Sequence, residues 1–330
     1  MRLRGVTRRM CVGWLAAATA ALPFGAGRTI VAEPTEEPKE NGTGTRSGTQ
    51  PKIGIALGAG GAKGIAHIAM LEALDELGLR PACIAGSSIG ALMGMLYAAG
   101  RSAAEVKDLV ARLAITRQDT VHSVYSDKKI RKWMRMIDAD FHHGGLLEGA
   151  SILQGLCRDQ DCGSFEELAI PLKVVATDFW ARRSVVLETG PLQPAVQASM
   201  ALPGVFNPVE IDGRVYIDGG TMNPVPYDVL SGCCDLVVAI DVNGGCETEG
   251  SSVPGYFDVV FGSIQILQQA IVERQLEHHQ PDIFLSLDLA EFRTLEFHKA
   301  DEIFRHVQPA KEELKRRLTE ALESQPPGGS

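Results

Sequence analysis

From residue 52 onward, short unbroken apolar runs alternate with longer stretches of helical period. Lys52-Ile53-Gly54-Ile55-Ala56-Leu57 and Pro81-Ala82-Cys83-Ile84-Ala85 are too short for helices and too apolar for half-exposed strands, so they predict strands buried on both faces. Behind the first run, Ile65, Ile68, Ala69, Leu71, Leu74 and Leu77 form one broad stripe and predict a helix stopped at Gly78. Behind the second, residues 89–99 are apolar all round and predict a buried helix. Ser102, with Glu105 three residues on, caps a further helix over 103–113. Residues 172–178 and 236–241 read as two more central strands. Residues 184–187 read as a strand, and 209–211 with 215–217 as two strands turned at Asp212-Gly213. Helix is predicted over 257–275 and again over 299–321, with a strand at 283–287 between them. Strand followed by helix followed by strand implies a parallel sheet with helices packed on it.

The N-terminal 50 residues break this pattern. Arg2, Arg4, Arg8 and Arg9 precede a short apolar, alanine-rich run over 12–24, and small residues lead to Ala32. That layout predicts a signal peptide over 1–32 and an exported, periplasmic or secreted, chain; an N-terminal membrane anchor is the alternative. Residues 33–50 hold no large apolar side chain and predict a disordered linker. Residues 51–330 are then expected to form a single domain.

Charge narrows the partners. Of the 32 Lys and Arg, five lie within residues 1–32, leaving 27 against 41 acidic residues and a net of −14 beyond them. So acidic a chain is a poor fit for nucleic acid, and any attraction to an anionic membrane has to be local. Ile130, Trp133, Met134 and Ile137 share one helical face opposite Lys128, Lys129, Arg131, Lys132 and Arg135, a pattern open to a surface helix or to peripheral membrane contact. An exported chain carries Cys83, Cys157, Cys162, Cys233, Cys234 and Cys246 into an oxidising compartment. Cys157 and Cys162 are near enough in sequence to bridge, while His142 and His143 beside them match no usual zinc spacing.

The chemistry gathers at three turns. Gly86-Ser87-Ser88-Ile89-Gly90 sets one serine between two glycines, after a strand and before a helix, as a nucleophile elbow requires. Gly58-Ala59-Gly60-Gly61-Ala62-Lys63-Gly64 follows the first strand. It fails as a dinucleotide fingerprint, because Lys63 stands at the third glycine's place, and as a phosphate loop, because Ile65 follows Gly64. It suits an oxyanion hole, where successive small residues aim backbone N–H groups at one point. No histidine sits in a strong motif, and His67, one turn into the first helix, reads as structural. The better partner for Ser88 is Asp218, in Ile217-Asp218-Gly219-Gly220, although an Asp-Gly pair alone also makes an ordinary turn.

Taken together, Gly60 to Gly64, Gly86 to Gly90 and Asp218-Gly219-Gly220, with the run Ala198 to Phe206, resemble the patatin-like phospholipase family. The resemblance implies a three-layer α/β/α sandwich with an open, mainly parallel central sheet. It implies a lipid acyl hydrolase, a serine esterase with a Ser88–Asp218 catalytic dyad. Gly60, Gly61 and Ala62 would form the oxyanion hole, with Lys63, Gly86, Gly90, Gly219 and Gly220 as loop or substrate support. The implied substrates are phospholipids, lysophospholipids or simpler acyl esters, and neither metal nor organic cofactor is called for. Acyl transfer or thioester hydrolysis at the same site, or lipid binding without turnover, are the alternatives. Two positions depart from the family pattern: Ala59 replaces the loop's first glycine and Lys63 its arginine, keeping the charge without the bidentate fork.

Overall fold

The computed structural model describes residues 51–111, 163–245 and 253–324, with Leu153 and Leu156. Residues 1–50, most of the 115–165 stretch, and Cys157, Cys162, Cys246, His142 and His143 lie outside them.

Eight strands form one sheet: β1 (Ile53–Leu57), β2 (Cys83–Ser87), β3 (Leu172–Asp178), β4 (Arg183–Leu187), β5 (Val209–Ile211), β6 (Arg214–Asp218), β7 (Leu236–Asp241) and β8 (Ile283–Ser286). Their hydrogen-bonded order is β5-β6-β3-β2-β1-β7-β8, with β4 also on β3. The five strands β3, β2, β1, β7 and β8 run parallel, and β4 and β6 are antiparallel to β3. The helices are α1 (Ala66–Glu76), α2 (Ile89–Ala98), α3 (Leu192–Ser199), α4 (Tyr256–His278), α5 (Ala300–His306) and α6 (Gln308–Ser324), and a further helix runs over 103–111.

The central strands are apolar throughout because both faces are covered, but the two faces differ in size. Ile53, Ile55 and Leu57 of β1, Ile84 of β2, and Leu236, Val238 and Ile240 of β7 join the large core under α1, α2, α3, α5 and α6. The alternate positions are small: Ala56, Cys83, Ala85 and Ala239 pack beneath Val225, Tyr227, Leu230 and Val272 of α4. Three layers result, with the thinner side holding α4.

Register decides where the site forms. Along β3, Leu172 to Val175 pair with β2, ending at Ser87 opposite Val175. Ala176 to Asp178 pair with β6, beginning with Asp218 opposite Ala176. Because β4 occupies the other edge of β3 at Val174 to Asp178, β2 and β6 share one edge. They approach each other end to end, so the residues leaving Ser87 and the Asp218 carboxylate meet over consecutive residues of β3.

Three elements differ from the sequence-based expectation. Residues 299–321 are two helices broken at Val307, because Pro309 lies in the first turn of α6 and offers no N–H to the helix before it. No element is predicted over 188–197, yet α3 forms at Leu192–Ser199, with Pro191 and Pro194 at its start where no intrahelical N–H is needed. The glycine loop is more ordered than a loop, tightening into a 3-10 turn over Gly61–Ile65 before α1. Gly78 ends α1's approach at φ 66, as the sequence predicts.

Candidate active site

Ser88 stands between β2 and α2 with φ 55 and ψ −123, one of three non-glycine residues at positive φ among those described. A residue held there is strained, and the surroundings have to hold it. Gly86 and Gly90 allow the turn: a Cβ on Gly86 would strike the backbone of Ala91, and one on Gly90 the Leu57 carbonyl. Ser88 also caps α2, its carbonyl accepting from Ala91 N–H at 3.0 Å, so the positive end of the helix lies beside the hydroxyl.

Ser199, fully buried at the end of α3, braces this turn. Its Oγ accepts from the Ser88 N–H at 2.8 Å and donates to the Val175 carbonyl at 2.6 Å. The hydroxyl therefore ties the strained residue to the β3 position that faces Ser87. Sequence reasoning gave Ser199 no role; one serine inside an Ala-Ser-Met-Ala run has no periodicity to mark it.

The Ser88 hydroxyl donates to Asp218 Oδ2 at 2.5 Å. Asp218 Oδ1 accepts from the Gly220 N–H at 2.8 Å, and the aspartate is 2% exposed. Burial raises its carboxyl to about 6 against the opposing pull of the Ser88 and Gly220 hydrogen bonds. Thr177 Oγ1 donates to the Asp218 carbonyl at 2.9 Å, fixing the end of β6 to β3. Gly219 is required where a Cβ would meet the Val175 carbonyl, and Gly220 packs against Ala59 and the Gln268 side chain.

The glycine loop lies between these two turns. Gly64 packs on Ile89 beside the elbow, and Ala59 on Gly220 beside Asp218. Its backbone donors divide. Gly58 N–H binds the Ile240 carbonyl at 3.0 Å and Ala59 N–H the Pro224 carbonyl at 2.8 Å. Ala62 corrects an expectation: its N–H is already given to the Thr294 carbonyl at 2.8 Å, so it is not free to hold an oxyanion in this arrangement. The Gly60 and Gly61 N–H groups make no hydrogen bond among the described residues. Asn243 supports the loop from below, donating to the Ala59 carbonyl at 2.9 Å and to Gln268 Oε1 of α4 at 3.0 Å.

Lys63 is buried under the loop with its charge beside Asp241, whose carboxyl burial pushes up and Lys63 pulls down. It supports the loop from within and does not point to solvent. His67 is fully buried, its Nε2 donating to the Gly58 carbonyl at 2.8 Å, and burial lowers its imidazole to about 4. It is neutral at physiological pH and braces the loop, as the sequence suggests. Asp178 closes the β3–β4 turn, accepting from Ala181 N–H at 2.9 Å and from Arg214 at 3.2 Å.

A serine held in strain, a buried carboxylate on its hydroxyl, and two unengaged N–H donors nearby make an arrangement suited to acyl transfer from an ester. The patatin-like phospholipase family matches residues 55–231. The chain is 37% identical over 200 residues to an uncharacterized NTE family protein of Mycobacterium tuberculosis, covering 60% of this chain and 51% of that one. It is 28% identical over 277 residues to human patatin-like phospholipase domain-containing protein 6, covering 76% of this chain and 19% of the human protein. The chain thus spans about half the length of the mycobacterial relative and less of the human one. Among solved structures, VipD from Legionella pneumophila aligns at a TM-score of 0.45 and 14% identity, over 81% of this chain and 67% of that one.

Proposed function

The chain belongs to the patatin-like phospholipase family, and from that membership we propose that it is a serine lipid acyl hydrolase working through a Ser88–Asp218 dyad. The observation that carries the reading is the 2.5 Å hydrogen bond from Ser88 Oγ to Asp218 Oδ2, made by a serine at positive φ. In the reaction, Oγ bonds to the ester carbonyl carbon as its proton passes to Asp218. The carbonyl oxygen takes the negative charge and is held by the Gly60 and Gly61 N–H groups. The intermediate collapses, the alcohol leaves with the proton from Asp218, and the acyl group stays on Ser88. Water, deprotonated by the same carboxylate, then attacks the acyl carbon; the bond to Ser88 Oγ breaks, the proton returns from Asp218 to Oγ, and the fatty acid leaves. A carboxyl near 6 is ionised at neutral pH yet basic enough to share a serine's proton. The substrates are phospholipids, lysophospholipids or related acyl esters. The basic and apolar order of residues 1–32 favours export as the setting.

Ser88→Ala is expected to lower hydrolysis of a chromogenic acyl ester by about 10⁴-fold or more and to abolish labelling by a fluorophosphonate. Asp218→Asn should cost about 10³–10⁴-fold. Turnover retained in Ser88→Ala would overturn the reading, and near-normal activity in Asp218→Asn would move the base to another residue.

A further inference from the structure

We propose that Asn243 is a positioning residue for the oxyanion hole: it aims and polarises the Gly60 N–H through the peptide unit which that N–H shares with the Ala59 carbonyl. The proposal rests on the hydrolase reading above, in which Gly60 and Gly61 hold the oxyanion.

A trans peptide unit is planar, with its carbonyl and its N–H pointing opposite ways, so a hydrogen bond that fixes one fixes the direction of the other. The Ala59 carbonyl accepts from Asn243 Nδ2 at 2.9 Å. The plane fixed in this way carries the Gly60 N–H, which points away from the Asn243 amide. Gly60 has no side chain with which to hold that plane, and a Cβ there would lie 2.4 Å from Val242 Cγ2 and 3.2 Å from Asn243 Oδ1. Orientation has to come from outside the loop, and Asn243 lies against it. The same bond strengthens the donor, because linked hydrogen bonds polarise one another across the amide.

Asn243 is itself held. Its backbone N–H donates to Asp241 Oδ1 at 2.9 Å, and its Nδ2 donates a second time, to Gln268 Oε1 of α4 at 3.0 Å. The amide can face only one way, since the Ala59 carbonyl accepts and never donates, so nitrogen has to meet it. Gln268 is buried, and a Cβ on Gly220 would lie 2.6 Å from its Nε2. One glutamine thus touches both the support of the glycine loop and the turn whose Gly220 N–H binds Asp218. The other end of the loop is pinned to the same helix. Ala62 N–H donates to the Thr294 carbonyl at 2.8 Å, and Gln265, three residues before Gln268, donates through Nε2 to Thr294 Oγ1 at 2.9 Å. Residues three apart share a helix face. Gly60 and Gly61, whose N–H groups make no hydrogen bond among the described residues, are the span between two points fixed from that face.

The test uses the full chain carrying Asn243→Leu, which keeps the branched outline and removes the donor. On a soluble short-chain ester, kcat is expected to fall by about 10–100-fold with KM within about twofold of the parent's. The matching thionoester separates aim from general damage. Its sulfur is a weaker acceptor than oxygen, so a well-aimed N–H favours the oxygen ester. The ratio of kcat/KM for ester over thionoester should drop by about tenfold in Asn243→Leu. Equal losses on both substrates, or an unchanged ratio, would overturn the proposal. Should Asn243→Leu fail to fold, Gln268→Met removes only the acceptor that steadies the Asn243 amide, and its ratio should drop by about threefold or more. Amide hydrogen exchange reads the loop without turnover: peptides over 58–64 should exchange faster in either variant while those of α4 do not change. Faster exchange in α4 as well would reduce Asn243 to packing and sink the idea. A parent with no ester turnover would remove the hydrolase reading and the hole with it, and exchange would still decide whether Asn243 holds the Ala59–Gly60 peptide.

Discussion

At Asp218 the demands of the proposed catalysis and of stability point in opposite directions. Burial lifts its carboxyl from 3.8 in the unfolded chain to about 6 in the fold, so the folded protein binds this proton more tightly. The stabilisation is fully present below 3.8 and is lost as pH rises through about 6. At neutral pH the ionised form therefore costs stability, on the order of 2–3 kcal/mol for a shift of this size. Asp218→Asn removes that cost. Its melting temperature is expected to exceed the wild type's at pH 7.5 and to converge on it near pH 4, in parallel thermal melts. Activity follows the opposite sign, because only the ionised carboxylate accepts the Ser88 proton. The kcat/KM of wild type should rise with pH through a single step near 6 and level off above it. A profile flat across that range would remove Asp218 as the base.

Ser199 acts through the element that carries it. The last residue of α3 spans from β3 to the elbow, so a helix with two prolines at its start fixes the backbone of Ser88, 111 residues earlier. Ser199→Ala leaves the Ser88 N–H unpaired in a closed environment, which costs about 1–3 kcal/mol. Because that amide belongs to the strained residue, fluorophosphonate inactivation should slow by about tenfold or more, beyond what the lost stability alone explains. Unchanged inactivation of a folded Ser199→Ala protein would reduce the residue to packing. Such links also show which parts were legible in the sequence. The central strands could be read because their apolar runs are unbroken, and the turns at Ser88 and Asp218 because glycines mark them. α3 was missed because prolines in a first turn look like prolines anywhere. Ser199 and Thr294 were missed because their roles come from tertiary contacts, and nothing near Ala62 in sequence shows its N–H taken by a carbonyl at residue 294.

Across the whole molecule the two ends of the sheet have separate characters. Cys83 begins β2, and the Cys233 and Cys234 sulfurs lie 3.6 Å apart beside it, with Cys234 filling the space over Gly54. All three are free thiols, and burial raises those of Cys83 and Cys234 to about 12. The cluster lies a full strand, about 13 Å, from the elbow. Cys233→Ser is accordingly expected to leave ester turnover within about twofold of wild type, as measured by initial rates; a larger loss would show that the far end communicates with the site. The opposite end depends on β2 and β6 meeting over β3, and the proposed dyad exists only where they meet. Ser88 and Asp218 are 130 residues apart, and the hairpin that carries Asp218 joins the sheet through β3. Pairings so distant along the chain carry a loop-closure cost that slows folding. On the proposed dyad, hydrolysis requires β2, β3 and β6 together, because Ser88 and Asp218 meet only where those three strands do.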